Sequence, residues 1–281
     1  MQHPINTNHN TNSASAALDA RSLDLRTRIV RMVEASGRGH VGSALSLVEI
    51  LRVLYDDVLR YDAKDSKWEG RDRFVLSKGH GCLALYVLLA EKGFFPESEL
   101  QRVGKKEGIL GGHPETTVPG IEVSTGALGH GLSFGVGFAL NARFRRAKHR
   151  VFVVIGDGES NEGSIWEAAL SAGKHQLSNL VVMVDYNKNQ SYGPTYEVQD
   201  LEPLADKWRA FGFGVAEVDG HDVEQLQSVF ARLPLVQDKP SMVICHTVKG
   251  KGVDFVENNM DWHHKNRVTP EEIQSLIEAL S

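Results

Sequence analysis

The residues best suited to metal and phosphate chemistry lie in two short polar stretches, Gly156-Asp157-Gly158 and Asn187-Lys188-Asn189. Asp157 offers a hard carboxylate oxygen and Asn187 an amide oxygen, and both ligand types suit Mg²⁺ or Ca²⁺. The glycines beside Asp157 would allow a ligand to approach the backbone closely. A Gly-Asp-Gly stretch on its own is most often only a turn. The prediction of a cation and phosphate site therefore depends on whether the fold brings the two stretches together.

The elements around these two stretches predict that the fold brings them together. Residues 151–155 and 180–184 are apolar runs without polar alternation, as expected of parallel strands that are buried on both faces. Between them Ile165, Ala168, Ala169 and Ala172 recur at helical spacing, and parallel strands need such a crossover. Both strands then end at the same sheet edge, where open α/β sheets bind ligands. The amino end of the intervening helix would favour an anion.

Length, composition and charge exclude several classes of protein. The chain has 281 residues, 41% of them hydrophobic, and a formal net charge of −5, which gives no electrostatic footprint for nucleic acid or an anionic membrane. No apolar stretch is long enough to span a bilayer, and the first residues do not resemble a signal peptide. Cys82 and Cys245 each lie in an apolar run, which predicts buried reduced thiols and a cytoplasmic protein.

The order of elements predicts one α/β domain. Residues 1–17 are rich in Asn, Thr, Ser and His, which predicts a disordered tail, and residues 18–281 form the domain. Helix and strand patterns alternate, which indicates an open, mostly parallel sheet with helices on both faces. Helices are predicted at about 18–36, 44–59, 80–89, 131–144, 201–211, 223–233 and 270–280, and further strands at 73–76, 215–218 and 242–246.

Two other segments are notable. Residues 104–118 are rich in Gly and Pro around His113, a composition typical of a loop held over a site. Gly131, Ser133, Gly135 and Gly137 occupy the early turns of one predicted helix, where glycine costs helix stability. They indicate either close packing against another backbone or an ordinary crossing of two helices.

Seven separated stretches, in order, resemble the N-terminal, diphosphate-binding part of transketolase. The resemblance covers roughly residues 18–265 and implies the thiamine-diphosphate-binding fold. The matching stretches are Gly39-His40 with Gly42, 77–80, 112–115, 126–131, 156–163, 185–189 and 247–252.

The resemblance implies roles for individual residues around thiamine diphosphate. Asp157, Asn187 and the backbone carbonyl of Asn189 would bind Mg²⁺ or Ca²⁺. The residues that would bind the cofactor itself include two of the metal ligands and one channel histidine: Gly126, Leu128, Gly156, Asp157, Gly158, Glu159, Asn187 and His80. The catalytic set would be the substrate-channel histidines His40, His80, His113 and His263, although a lone histidine is more often a surface or core residue. Glu162 and Glu167 would lie at an interface between subunits and form a proton relay.

This chain departs from the family pattern at four positions. His264 stands where glycine is usual, Val41 where proline is common, and Ala127 and His130 replace the usual residues of the 125–131 stretch. These changes would alter the shape of the channel.

The resemblance implies a ketol-transfer enzyme of carbohydrate metabolism, of the pentose phosphate type, that moves a two-carbon unit from a ketose to an aldose. Transketolases carry a pyrimidine-binding domain with an activating glutamate and then a C-terminal domain, and this sequence ends at Ser281. We therefore expect the N-terminal subunit of a two-component transketolase, with those domains on a second polypeptide and an α2β2 assembly. The alternatives are a subunit related to deoxyxylulose-phosphate synthase or to a 2-oxo acid dehydrogenase, and a non-catalytic regulatory subunit of the same fold.

Overall fold

A five-stranded parallel sheet forms the centre of the protein. The computed structural model describes residues 17–263, 265 and 267–281, so the predicted N-terminal tail, apart from Ala17, lies outside the described residues. The strands are β1 (Arg73–Leu76), β2 (Val151–Gly156), β3 (Leu180–Tyr186), β4 (Asn189–Gln190), β5 (Gly193–Pro194), β6 (Gly214–Asp219) and β7 (Ser241–His246). The spatial order in the sheet is β1-β2-β3-β7-β6, and each strand pairs in parallel with its neighbours. The short strands β4 and β5 form a separate antiparallel hairpin after β3.

Ten α-helices are described, and they cover both faces of the sheet. They are α1 (Ala20–Ser36), α2 (Val41–Leu45), α3 (Val48–Val53), α4 (Cys82–Glu91), α5 (Gly131–Phe144), α6 (Gly163–Lys174), α7 (Thr195–Val198), α8 (Leu204–Ala210), α9 (Val223–Phe230) and α10 (Pro270–Ala279). Short 3₁₀ turns lie at Gly79–Gly81, Glu97–Arg102, Gly158–Asn161 and Met260–Trp262. No helix in this part of the chain is both long and apolar enough to cross a bilayer.

The continuous apolar runs of β2 and β3 reflect two separate cores. Phe152 and Val154 of β2 point into a core shared with α1, α3 and α4, while Val151, Val153 and Ile155 point into a core shared with α5, α6 and α8. Every residue of β2 and β3 is buried. Because both faces of a parallel sheet are covered, its strands lose the alternation of polar and apolar residues. The predicted fold class is confirmed.

The prediction of one continuous helix at 44–59 is wrong, because the segment is divided into three parts. The chain forms α2, breaks at Ser46 and Leu47, forms α3, and finishes in a π-helical turn at Leu54–Val58. At the break the Ser46 hydroxyl donates to the Asp185 carboxylate at 2.7 Å. The whole segment from Val41 to Leu54 is buried, so its apolar pattern continues across the break and conceals it.

Two glycines of α5 pack closely, as expected. A Cβ at Gly131 would lie 2.8 Å from the Cα of Ser77, and one at Gly135 would lie 2.4 Å from Val153. These contacts place α5 close to the end of β1 and to the middle of β2. Gly137 has open space around it, so the close packing does not extend to the last of the small residues of α5.

Candidate active site

A cavity of about 420 Å³ opens at the carboxyl ends of β1, β2 and β3. The Gly156-Asp157-Gly158 turn lies at the end of β2, and Asn187 follows β3 directly, because both strands run the same way in adjacent positions. The cavity is lined by most of the predicted residues, namely His40, His80, His113, Gly126, Leu128, Gly156, Asp157, Gly158, Glu159, Glu162, Asn187, Asn189 and His263. The fold therefore gathers residues from seven stretches into one site.

The three predicted metal ligands present oxygen atoms within this cavity. Asp157 is 3% exposed, and its carboxylate accepts the backbone N–H of Gly158 at 2.7 Å and that of Lys188 at 2.5 Å. The Asn187 side-chain oxygen accepts the backbone N–H of Asn189 at 3.2 Å. The Asn189 carbonyl accepts the Lys249 ammonium at 2.9 Å.

The electrostatic environment of Asp157 suits a bound cation. Burial, and then the negative charge of Asp185, raise the pKa of Asp157 to about 6. A buried carboxylate whose pKa is raised has less positive charge around it than its ionised form needs. A divalent ion held by one carboxylate, one amide oxygen, one carbonyl and phosphate oxygens would supply that charge, and this donor set suits Mg²⁺.

Unpartnered polar atoms around the same cavity fit a polar ligand. Among the described residues, the buried Ser43 Oγ, Asn161 Oδ1 and Gln190 Nε2 have no hydrogen-bond partner, and all three residues line the cavity. Buried polar groups are normally hydrogen-bonded, and exceptions call for an explanation. Gln190 Nε2 is a donor and would suit a phosphate oxygen. Gly158 has a further reason to be glycine, since a Cβ there would lie 2.8 Å from that of Gln190.

A buried ion pair supports the floor of the cavity. Lys78 pairs with Asp185, and their side chains are 2% and 0% exposed. Asp185 also accepts the hydroxyls of Ser46 and Thr247. Burial alone would raise the pKa of Asp185, but the Lys78 ammonium and these hydrogen bonds hold it below its usual value. The pair joins the ends of β1 and β3 beneath Asp157.

The four predicted channel histidines are brought together. The ring centres of His40 and His80 are 5.4 Å apart, and those of His40 and His113 are 6.5 Å apart. His263 Nδ1 lies 2.7 Å from Lys249 Nζ, and its carbonyl lies 3.4 Å from His40 Nδ1. Burial, and then the charge of Lys78, lower the pKa of His80 well below its usual value. A neutral imidazole there can accept a proton or a hydrogen bond from a substrate hydroxyl.

The predicted loop over the site is found around His113. Tyr86 donates its hydroxyl to the His113 carbonyl at 2.7 Å. Gly126 has a φ of +146°, and a Cβ there would lie 3.0 Å from the His113 ring. The His113 side chain is thus held against the 125–131 stretch.

Glu159 uses its carboxylate within the protein. The carboxylate accepts the Ser77 hydroxyl and the backbone N–H groups of Gly129 (2.9 Å) and Gly156 (3.1 Å). It therefore ties three loops together around the cavity. The two other predicted glutamates, Glu162 and Glu167, are exposed in the single chain.

The positions that depart from the family pattern are distributed unevenly. Val41 is fully buried at the start of α2, whereas Ala127 and His130 are exposed. His264 lies outside the described residues.

Sequence reasoning missed four residues of the site: Lys78, Asp185, Gln190 and Lys249. Lys78 and Lys249 are 1% and 4% exposed, and a lysine is normally read as a surface residue. Each lysine lies inside a stretch that carries the resemblance, 77–80 or 247–252. That location in a predicted site loop could have indicated that both lysines belong to the site.

Comparison with known proteins agrees with this geometry. The transketolase thiamine-diphosphate-binding domain family matches residues 20–280. An apulose-4-phosphate transketolase subunit from Phocaeicola vulgatus is 44% identical over 247 residues, covering 88% of each chain. A 6-deoxy-6-sulfo-D-fructose transketolase subunit from a Clostridium species is 44% identical over 229 residues, covering 81% of this chain and 83% of its own length.

Solved structures show the same fold. Transketolase from Campylobacter jejuni superposes with a TM-score of 0.86 at 29% identity, over 94% of this chain and 43% of that one. The chain thus spans about two-fifths of the length of that solved transketolase. By sequence and by fold, the chain belongs to the transketolase family of thiamine-diphosphate-binding domains.

Proposed function

We propose that this member of the transketolase family is the N-terminal subunit of a two-component transketolase, which transfers a two-carbon ketol unit from a ketose to an aldose. The observation that carries the proposal is the single cavity that combines the Asp157 and Asn187 oxygens with four histidines. Relatives of similar length are named as transketolase subunits, which supports a second polypeptide. The transketolase relatives favour this interpretation over the synthase and dehydrogenase alternatives.

Thiamine diphosphate, when bound, supplies the nucleophilic carbon and the electron sink that break and form the carbon–carbon bond. In this proposal Asp157, Asn187 and the Asn189 carbonyl would hold Mg²⁺ or Ca²⁺, which would supply positive charge for the diphosphate. Gln190 would donate to a phosphate oxygen, and the glycine turn would allow the phosphate close to the backbone. Glu159 keeps the surrounding loops in place.

The histidines act on the sugar. His40, His80, His113 and His263 would orient sugar hydroxyls and move protons to and from their oxygens. Lys249 donates to His263 Nδ1 when it is charged, which leaves the hydrogen of a neutral His263 on Nε2. Sugars and sugar phosphates are the proposed substrates.

A partner would complete the site. We propose a second polypeptide with the pyrimidine-binding and C-terminal domains, in an α2β2 assembly in which Glu162 and Glu167 lie at an interface. Large apolar side chains are exposed on the two helices nearest these glutamates: Phe134 on α5 is 49% exposed and Leu170 on α6 is 61% exposed. Exposed apolar surface of this kind often marks an interface. The two buried free thiols agree with the proposed cytoplasmic location.

The test is a ketol-transfer assay with this chain, the candidate partner and their mixture, each with Mg²⁺ and thiamine diphosphate. Apulose 4-phosphate and 6-deoxy-6-sulfo-D-fructose, named for two relatives, belong in the substrate panel. Transfer should appear only in the mixture. Transfer by this chain alone would overturn the two-component proposal, and cofactor binding by the mixture without turnover would favour the regulatory alternative.

The matched variants are Asp157→Ala and Asp254→Ala, since Asp254 is exposed and does not line the cavity. Asp157→Ala should remove Mg²⁺-dependent cofactor binding, measured by calorimetry on the mixture, and leave the circular dichroism spectrum unchanged. Asp254→Ala should leave both unchanged. Unaltered cofactor affinity in Asp157→Ala would refute the metal assignment.

A further inference from the structure

A second groove lies at the opposite end of the sheet, where β1 and β2 begin. We name it the amino-end groove, and define it by Arg60, Trp68, Arg73, Arg145, Lys148 and His149, around a cavity of about 660 Å³. Arg73 is the first residue of β1 and His149 comes shortly before β2, whereas Asp157 follows the last residue of β2. Since β2 has six residues, the groove lies roughly 20 Å from the thiamine-diphosphate site.

The lining of the groove is strongly cationic in a chain whose net charge is −5. Four cations line it against one carboxylate, that of Glu69. Residues 141–150 contribute five Arg or Lys residues and no acidic residue. Such a concentration of one charge in a concave site attracts anions and raises their local concentration.

Two of these cations are not neutralised within the chain. Arg60 is paired with Asp72, which is also paired with Arg150. The Arg145 and Lys148 side chains are exposed and make no hydrogen bond or ion pair with any described residue. Arg73 donates to the carbonyls of Arg71 and Glu69, and its Nε lies 3.9 Å from the Glu122 carboxylate, so its charge is balanced mainly within the chain.

A buried imidazole in the groove also lacks a partner. His149 is 7% exposed, and its Nδ1 has no hydrogen bond to any described residue. Burial, and then the charge of Arg73, lower the pKa of His149, so the ring is neutral near pH 7 and can present an N–H at Nδ1. A buried donor without an acceptor is costly unless a ligand provides one.

An aromatic surface stands beside the cations. Trp68 is 43% exposed, and its ring lies close enough to Gly70 that a Cβ there would approach the indole within 2.7 Å. An exposed indole offers a stacking surface for the aromatic ring of a ligand. The cavity volume lies within the range of about 300–1,000 Å³ that is typical of small-molecule sites.

We propose that the amino-end groove binds a nucleotide, with its phosphates on Arg145, Lys148 and His149 and its base on Trp68. A nucleotide is the ligand class that uses the cations and the indole together. A concave site with a buried imidazole suits a small molecule better than an extended acidic polypeptide. The groove shares no residue with the thiamine-diphosphate cavity, so bound nucleotide and bound cofactor would coexist.

The test is calorimetric titration of the full chain with ADP, repeated with Mg²⁺ and excess thiamine diphosphate. The variant is Arg145→Gln/Lys148→Gln, and the matched control is Lys174→Gln/Lys239→Gln, which removes the same charge from exposed positions outside the groove. ADP should bind with and without thiamine diphosphate. Its Kd should rise by at least about tenfold in the groove variant, because charge-assisted hydrogen bonds are lost. It should change by less than about twofold in the control, where no contact is lost.

A second variant tests the base contact. Trp68→Leu should weaken ADP binding by at least about fivefold, since it removes stacking, and should leave pyrophosphate binding unchanged. No ADP binding at millimolar concentration, or equal losses in the groove and control variants, would overturn the site. Equal binding of ADP and pyrophosphate with no effect of Trp68→Leu would overturn the nucleotide assignment. Tighter binding of a polyglutamate peptide, lost in the groove variant, would replace it with an acidic polypeptide partner. None of these readouts requires ketol-transfer activity.

Discussion

Replacing Arg26 by Met should be among the most destabilising single substitutions in this chain. Arg26 and Glu49 are both 0% exposed, and two parallel hydrogen bonds of 2.6 and 2.9 Å join them. His221 Nδ1 lies 2.8 Å from the same carboxylate, and its Nε2 accepts the backbone N–H of Val248, so the hydrogen of the neutral ring is on Nδ1. The Arg26 guanidinium also donates to the Lys251 carbonyl at 2.7 Å. The network therefore links α1 and α3 to the loop that carries Lys249.

The expected magnitude follows from this burial. Arg26→Met leaves the Glu49 carboxylate buried with only His221 as a partner, and breaking a buried ion pair in this way costs about 3–5 kcal/mol. A domain is stable by only ~5–15 kcal/mol, so the loss is a large part of the total. Urea unfolding of the isolated chain should show a lower midpoint with an unchanged slope.

Two further variants test whether the loss of stability comes from the buried charge of Glu49. Arg31→Met is the control, because Arg31 lies on the same helix in an exposed pair with Glu34, and it should cost ~0–1 kcal/mol. Arg26→Met/Glu49→Gln removes the stranded charge and should be more stable than the sum of the single variants by at least ~1 kcal/mol. A loss below ~1 kcal/mol in Arg26→Met would contradict the account of a buried charge. If the loss of unfolding free energy in the double variant equals the sum of the losses in the two single variants, Arg26 and Glu49 do not interact as described.

Three other predictions concern the same chain. Glu49→Gln should make the free energy of unfolding depend less on pH in the acid range. The charge and hydrogen bonds of Arg26 outweigh burial and lower the pKa of Glu49 from its usual 4.5. The ionised group therefore stabilises the fold above about pH 4.5, and this contribution is lost as the pH falls through the folded pKa. Midpoints measured from pH 3 to 7 that fall as steeply in the variant as in the wild type would refute this. His113→Ala should lower kcat of the two-component enzyme ~10²–10⁴-fold with little change in cofactor affinity. If cofactor affinity is lost while kcat at saturating cofactor is normal, the predicted role of His113 in acting on the sugar is wrong. Gly131→Ala should destabilise by about 1–3 kcal/mol in urea, because its Cβ would lie 2.8 Å from the Cα of Ser77, and a stability equal to the wild type would show that α5 can shift freely.

The architecture of the sheet could be predicted because periodicity is a local property. The unbroken apolar runs of β2 and β3, with a helical pattern between them, left a parallel βαβ unit as the consistent interpretation, and its polarity placed Asp157 and Asn187 at one edge. The end of α1 near residue 36 could be predicted for the same reason, and the residue that follows, Gly37, caps the helix with a φ of 69°.

The break between α2 and α3 could not be predicted, because a buried segment is apolar on every side. The break lies where Ser46 donates to Asp185, a residue far away in the sequence, and such a contact leaves no local pattern. The role of Glu159 was hidden in a similar way. Its three hydrogen-bond donors come from Ser77, Gly129 and Gly156, in three different stretches.

The sequence by itself determined the order of elements, the edge of the sheet that carries the site, and the residue types available there. These follow from spacing along the chain and from the fixed geometry of parallel strands. Only the tertiary structure decided which charges are buried against each other. Lys78 and Lys249 look like surface residues in the sequence, and their burial beside Asp185 and Asn189 depends on how β1, β3 and the loop after β7 meet. Long-range pairing of this kind leaves no periodic trace, because the electrostatic environment of a side chain is set by neighbours in space.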